Sequence, residues 1–149
     1  MCNLSSIDKK VLTILIPIIL VVLITLIAYR LPLENYLSEY PLLRTLKWYV
    51  PWRVAVVNFV LWLLSLVLYL CEVREVSIML LVSGIIFVVA HYYMIFTILK
   101  SGYRIIIGPL VFYTNYHESI LDIHLDMGQV ISIVTAIVFL YEHKLKRST

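Results

Sequence analysis

The chain has 149 residues, of which 62% are hydrophobic and only 14% are charged, and its mean hydropathy is +0.98. A water-soluble domain is about half apolar and about a quarter charged, so this much apolar surface has no place in water. The composition excludes a soluble enzyme, a disordered tail and a disulfide-stapled secreted domain. The net charge of +3 is spread between the apolar runs rather than gathered in one patch, which excludes nucleic acid as a partner.

Four uncharged runs predict four transmembrane helices within a single membrane domain that covers residues 1–149. The runs comprise residues 11–29, 54–71, 77–99 and 127–141. At about 1.5 Å per residue the first three cross a hydrocarbon core roughly 30 Å thick, whereas the fourth is short unless its flanking residues reach the interface. Lipid offers no partner to open backbone groups, so each run must be helical. We therefore expect an all-α integral membrane protein.

The orientation follows from where the charges and cysteines fall. An even number of spans places both termini on one side. The total of Lys plus Arg is the same on the two sides of the membrane, so the distribution of positive charge does not decide which side this is. The compact basic tail at 143–147 and the placement of Cys2 and Cys71 on the reducing side favour cytoplasmic termini. We expect the chain to lie in a cell membrane or an energy-transducing membrane.

Two long loops then face the opposite side. Residues 30–53 interleave leucines with charges and carry Trp48 and Trp52, a pattern that predicts an amphipathic segment lying in the membrane interface. Residues 100–126 contain β-branched and aromatic runs around Gly108-Pro109, which predicts a β-hairpin. The run Ile105–Ile107 is costly to leave in water, so the interface, the first loop or another subunit should cover it.

Two helix faces carry residues suited to helix–helix contacts. On the fourth helix, small residues recur every four positions, which allows close backbone approach in lipid. On the second helix, an amide, an indole and a hydroxyl share a stripe that prefers protein to acyl chains, and Asn58 is the natural interhelical hydrogen-bond donor. The predicted packing residues are Gly128, Ser132 and Ala136 on the fourth helix, and Asn58, Trp62 and Ser65 on the second.

His91 is the one ionisable side chain well inside a predicted span, and Tyr92 and Tyr93 follow it. Ionisable groups at membrane depth are candidates for function, here as a haem ligand, a proton relay or a quinone contact. A haem bound by two histidines needs a second histidine at similar depth, and spans one, two and four contain none. We therefore expect no cofactor bound by this chain alone, with haem or quinone at a subunit interface as the alternative to a structural hydrogen bond.

A second polar group precedes the last span. His117, Asp122, His124 and Asp126 supply oxygen and nitrogen ligands, and in an extended chain the last three point the same way, a loose metal-binding pattern. The competing interpretation, which we favour, is a solvated acidic helix start with Asp126 as the N-cap of the fourth helix.

The sequence lacks the motifs of membrane enzymes and pumps: HExxH, GxSxG, a Walker lysine, paired intramembrane carboxylates and an Arg-rich span. Our leading hypothesis is a non-catalytic accessory subunit of a multi-subunit membrane complex, with other integral membrane subunits and lipid as partners. The narrower hypothesis places it in an energy-transducing or oxidoreductase complex of the respiratory type. The alternatives are a small redox, quinone- or haem-handling protein centred on His91, and a self-associating structural or viral envelope protein.

Overall fold

The fold is that of a computed structural model, which describes residues 6–31, 47–101, 104–115 and 122–148. The described part is mostly helical, with one small sheet inserted between the third and fourth helices. The helices are α1 (Ser6–Arg30), α2 (Tyr49–Leu70), α3 (Ser77–Lys100) and α4 (Met127–Ser148), a 3₁₀ turn (Arg74–Val76) joins α2 to α3, and the strands are β1 (Arg104–Ile107), β2 (Val111–Asn115) and β3 (Asp122–Leu125).

Among the described residues, three helices are long and apolar enough to cross a membrane: Val11–Arg30, Tyr49–Leu70 and Arg74–Lys100. The apolar part of α4, Met127–Glu142, is shorter than these. Each of the four predicted runs lies within one helix or within one residue of its end, and α4 continues seven residues beyond the fourth run.

The predicted first loop is shorter than expected at its end, because α2 already begins at Tyr49. Pro51 lies in the first turn of α2, where a missing backbone N–H breaks no helical hydrogen bond. The rest of the predicted amphipathic segment, residues 32–46, lies outside the described residues.

The predicted hairpin around Gly108-Pro109 is present, and it is part of a larger sheet. β1 and β2 are antiparallel, with Arg104 opposite Asn115 and Ile107 opposite Phe112. β3 pairs with the other edge of β2. The predominantly helical fold thus includes a three-stranded sheet within the loop that we placed at residues 100–126. The third strand, residues 122–125, was not expected, and it satisfies backbone groups that β2 would otherwise leave open.

α3 lies at the centre of the bundle and contacts α1, α2 and α4. The buried core comprises Val54, Ala55 and Trp62 of α2, Leu80, Phe87 and Ala90 of α3, and Ile131 of α4. Ser65 and Ser83 are fully buried, and each hydroxyl donates to a carbonyl of its own helix, so neither leaves an unsatisfied hydrogen in the core.

Candidate functional site

A buried polar cluster lies where α3 meets the start of α4. It consists of His91, Tyr92, Asp126 and Gln129, and we call it the Asp126 cluster. Asp126 has no exposed surface; its Oδ1 lies 3.3 Å from Nε2 of His91. Its Oδ2 accepts hydrogen bonds from the Tyr92 hydroxyl at 3.1 Å and from Nε2 of Gln129 at 3.0 Å. The carboxylate is thus enclosed by polar groups of its own chain.

Asp126 is buried here because it begins α4. Its Oδ1 accepts a hydrogen bond from the backbone N–H of Gln129 at 3.2 Å, and its own carbonyl accepts from Val130. A carboxylate at a helix N-terminus satisfies open N–H groups and interacts favourably with the helix dipole. The predicted N-cap is therefore present, but the predicted solvation is not, because the sheet and α3 cover it.

Gln129 joins this helix start to the turn of the hairpin. Its Oε1 accepts from the backbone N–H of Leu110 at 2.9 Å, and its Nε2 donates to the carbonyl of Gly108 at 2.9 Å. Leu110 has a φ of 59°, a left-handed conformation that costs a side-chain-bearing residue roughly 1–2 kcal/mol. The carbonyl of Leu110 also accepts from the backbone N–H of Asp126 at 2.8 Å, so bonds on both sides hold this conformation.

Aromatic rings enclose the imidazole of His91. Phe87 stacks on it with a centroid distance of 5.5 Å, and Phe112 of β2 approaches edge-on at 6.3 Å. Gly128 completes the enclosure, because a Cβ at this position would lie 2.8 Å from Cδ2 of His91. His91 is consequently only 7% exposed.

The geometry limits what His91 can do. Its Nε2 is buried and makes no hydrogen bond to any described residue, although Asp126 Oδ1 is the nearby acceptor at 3.3 Å. The nitrogen faces the Asp126 carboxylate rather than an open ligand position. Tyr92 belongs to the same cluster, whereas Tyr93 is 60% exposed and lines a groove between α2 and α3.

The described residues do not assemble the predicted metal set. The Nε2 of His124 lies 3.0 Å from Oγ1 of Thr114, and its ring stacks on Phe112 at 5.0 Å. Asp122 and His124 are exposed on β3, whereas Asp126 is buried in its cluster. Among the residues that the structure describes, no three His, Cys, Asp or Glu side chains lie close enough to hold a metal ion. His117 lies outside them.

The polar stripe of α2 is buried against its neighbours. Nδ2 of Asn58 donates to Oγ1 of Thr25 in α1 at 3.1 Å and to the carbonyl of Val54 at 2.9 Å. Nε1 of Trp62 donates to Oγ1 of Thr135 in α4 at 2.9 Å. Ser65, the third predicted residue of the stripe, is fully buried.

The Trp62 indole passes over Gly84 of α3. A Cβ on Gly84 would lie 3.1 Å from both Trp62 Cδ1 and Thr135 Oγ1. A glycine at this crossing therefore allows α2 to reach α4 past the intervening helix.

The small-residue ladder of α4 divides between two environments. Gly128 is buried against His91 and Tyr92, whereas Ser132 and Ala136 are exposed. The buried face of α4 instead runs through Gly128, Ile131 and Thr135. Ser132 and Ala136 line an apolar groove of about 320 Å³ between α3 and α4, which we call the α3–α4 groove.

Two residues that matter here were missed by the sequence interpretation. Gln129 stands three positions after Asp126, which is the spacing of a capping box and was a usable signal. Thr135, one position before Ala136, carries no such signal, because only the tertiary packing brings it to Trp62.

Comparisons with known proteins add no family to this description. No protein-family model, curated protein or solved structure matches the chain.

Proposed function

We propose that the chain is a non-catalytic structural subunit of a multi-subunit membrane complex, with four spans and cytoplasmic termini. The observation that carries this proposal is the open α3–α4 groove. It is lined by Gly84 and Val88 from α3 and by Ser132 and Ala136 from α4. Small side chains on an exposed apolar face let a partner helix approach closely, and close packing is what holds helices together in lipid.

The polar chemistry of the groove supports a packing role. The Ser132 hydroxyl donates to the carbonyl of Gly128 at 2.7 Å, so its hydrogen is already used within α4. A partner helix can then pack on this surface without having to satisfy a buried hydroxyl hydrogen. The same property distinguishes the groove from a binding site for a polar substrate.

The Asp126 cluster supports the non-catalytic part of the proposal. Its carboxylate oxygens accept hydrogen bonds from Tyr92 and Gln129, and aromatic rings cover His91. Groups that bond to one another in a covered site serve to fasten α3, α4 and the hairpin together. Membership of an energy-transducing or oxidoreductase complex is the narrower form of this hypothesis.

Site-specific photocrosslinking in the native membrane tests the groove. We expect p-benzoylphenylalanine at Phe139, an aromatic residue that lines the groove and is 52% exposed, to crosslink to a different integral membrane protein, and the same group at Leu63 to give no such product. Leu63 is a suitable control because it is 44% exposed on α2 and does not line the groove. A crosslink from Phe139 only to a second copy of the chain would favour the self-associating alternative and overturn the proposal.

A pair of matched substitutions tests whether the partner depends on groove shape. Ser132→Leu fills the groove and should abolish the Phe139 crosslink. Thr97→Leu introduces the same leucine side chain outside the groove, and the Thr97 hydroxyl, like that of Ser132, donates to a carbonyl of its own helix, at 2.8 Å. We expect the Thr97 variant to retain the crosslink.

The redox alternative is tested by the purified chain and its His91→Gln variant. Glutamine preserves hydrogen bonding but cannot replace imidazole as a strong haem ligand or as a group that titrates near neutral pH. We expect no visible absorption band from the purified chain, and an assembled complex that keeps its turnover with the variant. A haem band lost in the variant, or lost turnover in a well-assembled complex, would contradict the accessory role.

A further inference from the structure

One face of the sheet contacts α3. Phe112 points from β2 towards His91 and marks this α3-facing side, although Ile107, Asp122 and His124 on the same side are exposed. The opposite face carries Ile106, Tyr113 and Ile123 in one cross-strand row and Val111 and Leu125 in the next. We call this the outer sheet face. Ile106 is 63% exposed, Ile123 67% and Leu125 57%, so its apolar side chains are largely uncovered by described residues.

The position of the sheet along α3 shows where this face lies. The turn of the hairpin bonds to Gln129, beside the contact between Asp126 and His91. His91 precedes the end of α3 at Lys100 by nine residues, or about 13 Å at the helical rise. The turn therefore lies deep beside the third candidate span, and the strands extend from there towards the level of Lys100.

Polarity changes along the strands in the same direction. At the open end of the sheet, Arg104 pairs with Asn115 and Thr114 pairs with Asp122. At the turn end, Ile107 pairs with Phe112 and Val111 with Leu125. The outer sheet face thus passes from Arg104 and Asn115 at the open end to the row of Ile106, Tyr113 and Ile123 and then to Val111 and Leu125 at the turn end, as a segment does when it crosses from headgroups to acyl chains.

The length of α4 supports the same placement. Its apolar part, Met127–Glu142, extends about 24 Å at 1.5 Å per residue, which is less than a hydrocarbon core of roughly 30 Å. Another segment must therefore cross the rest of the hydrocarbon core at one end of α4. At the N-terminal end, β3 leads directly into the helix through Asp126.

We propose that the outer sheet face is a lipid-binding surface that enters the bilayer leaflet on its side of the membrane. Ile123 and Leu125 contact acyl chains there, and Arg104, at the open end of the same face, reaches the headgroups. The proposal rests on the membrane placement given under Proposed function, but it is independent of any partner subunit.

Spin labels in reconstituted vesicles test this surface. In a Cys2→Ser, Cys71→Ser background, single cysteines replace Leu125, Ile123 or Arg104, and the labelled protein is placed in phosphatidylcholine vesicles that contain a quarter phosphatidylglycerol. We expect labels at Leu125 and Ile123 to collide with oxygen several-fold more often than with a nickel chelate, and a label at Arg104 to show the reverse ratio.

Two outcomes would overturn the proposal. Nickel accessibility at Ile123 equal to that at Arg104 would mean that water covers the face. Exclusion of both reagents at Ile123 would mean that protein covers it. A label at Val60, 48% exposed on α2, separates these outcomes from a failure of membrane insertion, because it must prefer oxygen wherever the bundle is inserted.

Discussion

The Oδ1 of Asp126 lies 3.3 Å from the Nε2 of His91, and this contact fastens the start of the fourth helix to the third helix nine residues before its end. The same carboxylate caps α4 and accepts from Tyr92, so one side chain links helix capping to helix packing. The stability of α4 in the bundle should depend on this carboxylate more than on any exposed acidic residue of the sheet.

Asp126→Ala should destabilise the fold by about 2–4 kcal/mol. The substitution removes an N-cap, worth about 1 kcal/mol, and the partly buried Tyr92 hydroxyl and one Nε2 hydrogen of Gln129 lose their acceptor. Asp126→Asn should cost less than Asp126→Ala, because asparagine is a comparably good N-cap and its amide can donate to the Tyr92 hydroxyl oxygen, although Gln129 still loses an acceptor. Unfolding by denaturant in detergent micelles measures both, with Asp122→Ala on the exposed strand as a nearly neutral control. Equal decreases in the free energy of unfolding for Asp126→Ala and Asp122→Ala would contradict a role of Asp126 in holding α4 against α3.

Gly128→Ala should lower the unfolding free energy by about 1–3 kcal/mol, although alanine is the better helix former. The added methyl group would lie 2.8 Å from Cδ2 of His91 and 3.0 Å from Cε2 of Tyr92, which overpacks the site. Ser132→Ala, one turn further along α4 and exposed, is the matched control and should change the thermal midpoint little. Stabilisation by Gly128→Ala would show that α3 and α4 lie further apart.

Gln129→Ala should release the turn of the hairpin while the helices stay packed. The Leu110 amide loses its acceptor, Oε1 of Gln129, and the Gly108 carbonyl loses its donor. Hydrogen exchange followed by mass spectrometry should show faster exchange in the peptide that contains Leu110 and unchanged exchange in α2. Gln129→Glu retains an acceptor for Leu110 but places a carboxylate oxygen against the Gly108 carbonyl and the Asp126 carboxylate, so it should also release the turn. Unchanged exchange at the turn in the alanine variant would rule out this docking.

Cysteine labelling from either side of the membrane should show that α4 crosses it. With four spans, Cys71 and a cysteine at Lys144 are labelled by an impermeant maleimide from one side, and a cysteine at Arg104 from the other. Single-cysteine variants carry Cys2→Ser, and also Cys71→Ser where another site is tested. Labelling of positions 104 and 144 from the same side would remove α4 as a span.

Local pattern was enough to predict the helices and the first hairpin. The apolar runs coincide with α1 to α4 because a chain in lipid has to satisfy its backbone hydrogen bonds within each segment. Gly108-Pro109, flanked by β-branched and aromatic residues, likewise predicted the β1–β2 pair. β3 was missed as a strand because its short sequence fits a helix start as well, and only pairing with β2 selects the extended form.

The candidate site likewise has features that the sequence predicts and features that depend on tertiary packing. The sequence by itself determined that His91 lies within an apolar helix, that Asp126 begins α4 and that Asn58 needs a polar partner, since each follows from residue type and position along one element. Only the tertiary structure decided that Asp126 meets His91 rather than His124, that Trp62 bonds to Thr135 over Gly84, and that Ser132 and Ala136 face a groove while Gly128 is covered. The physical reason is that these contacts depend on how the helices are rotated and spaced relative to one another. Sequence periodicity predicts which face of its helix a residue lies on, but not which neighbouring helix that face contacts.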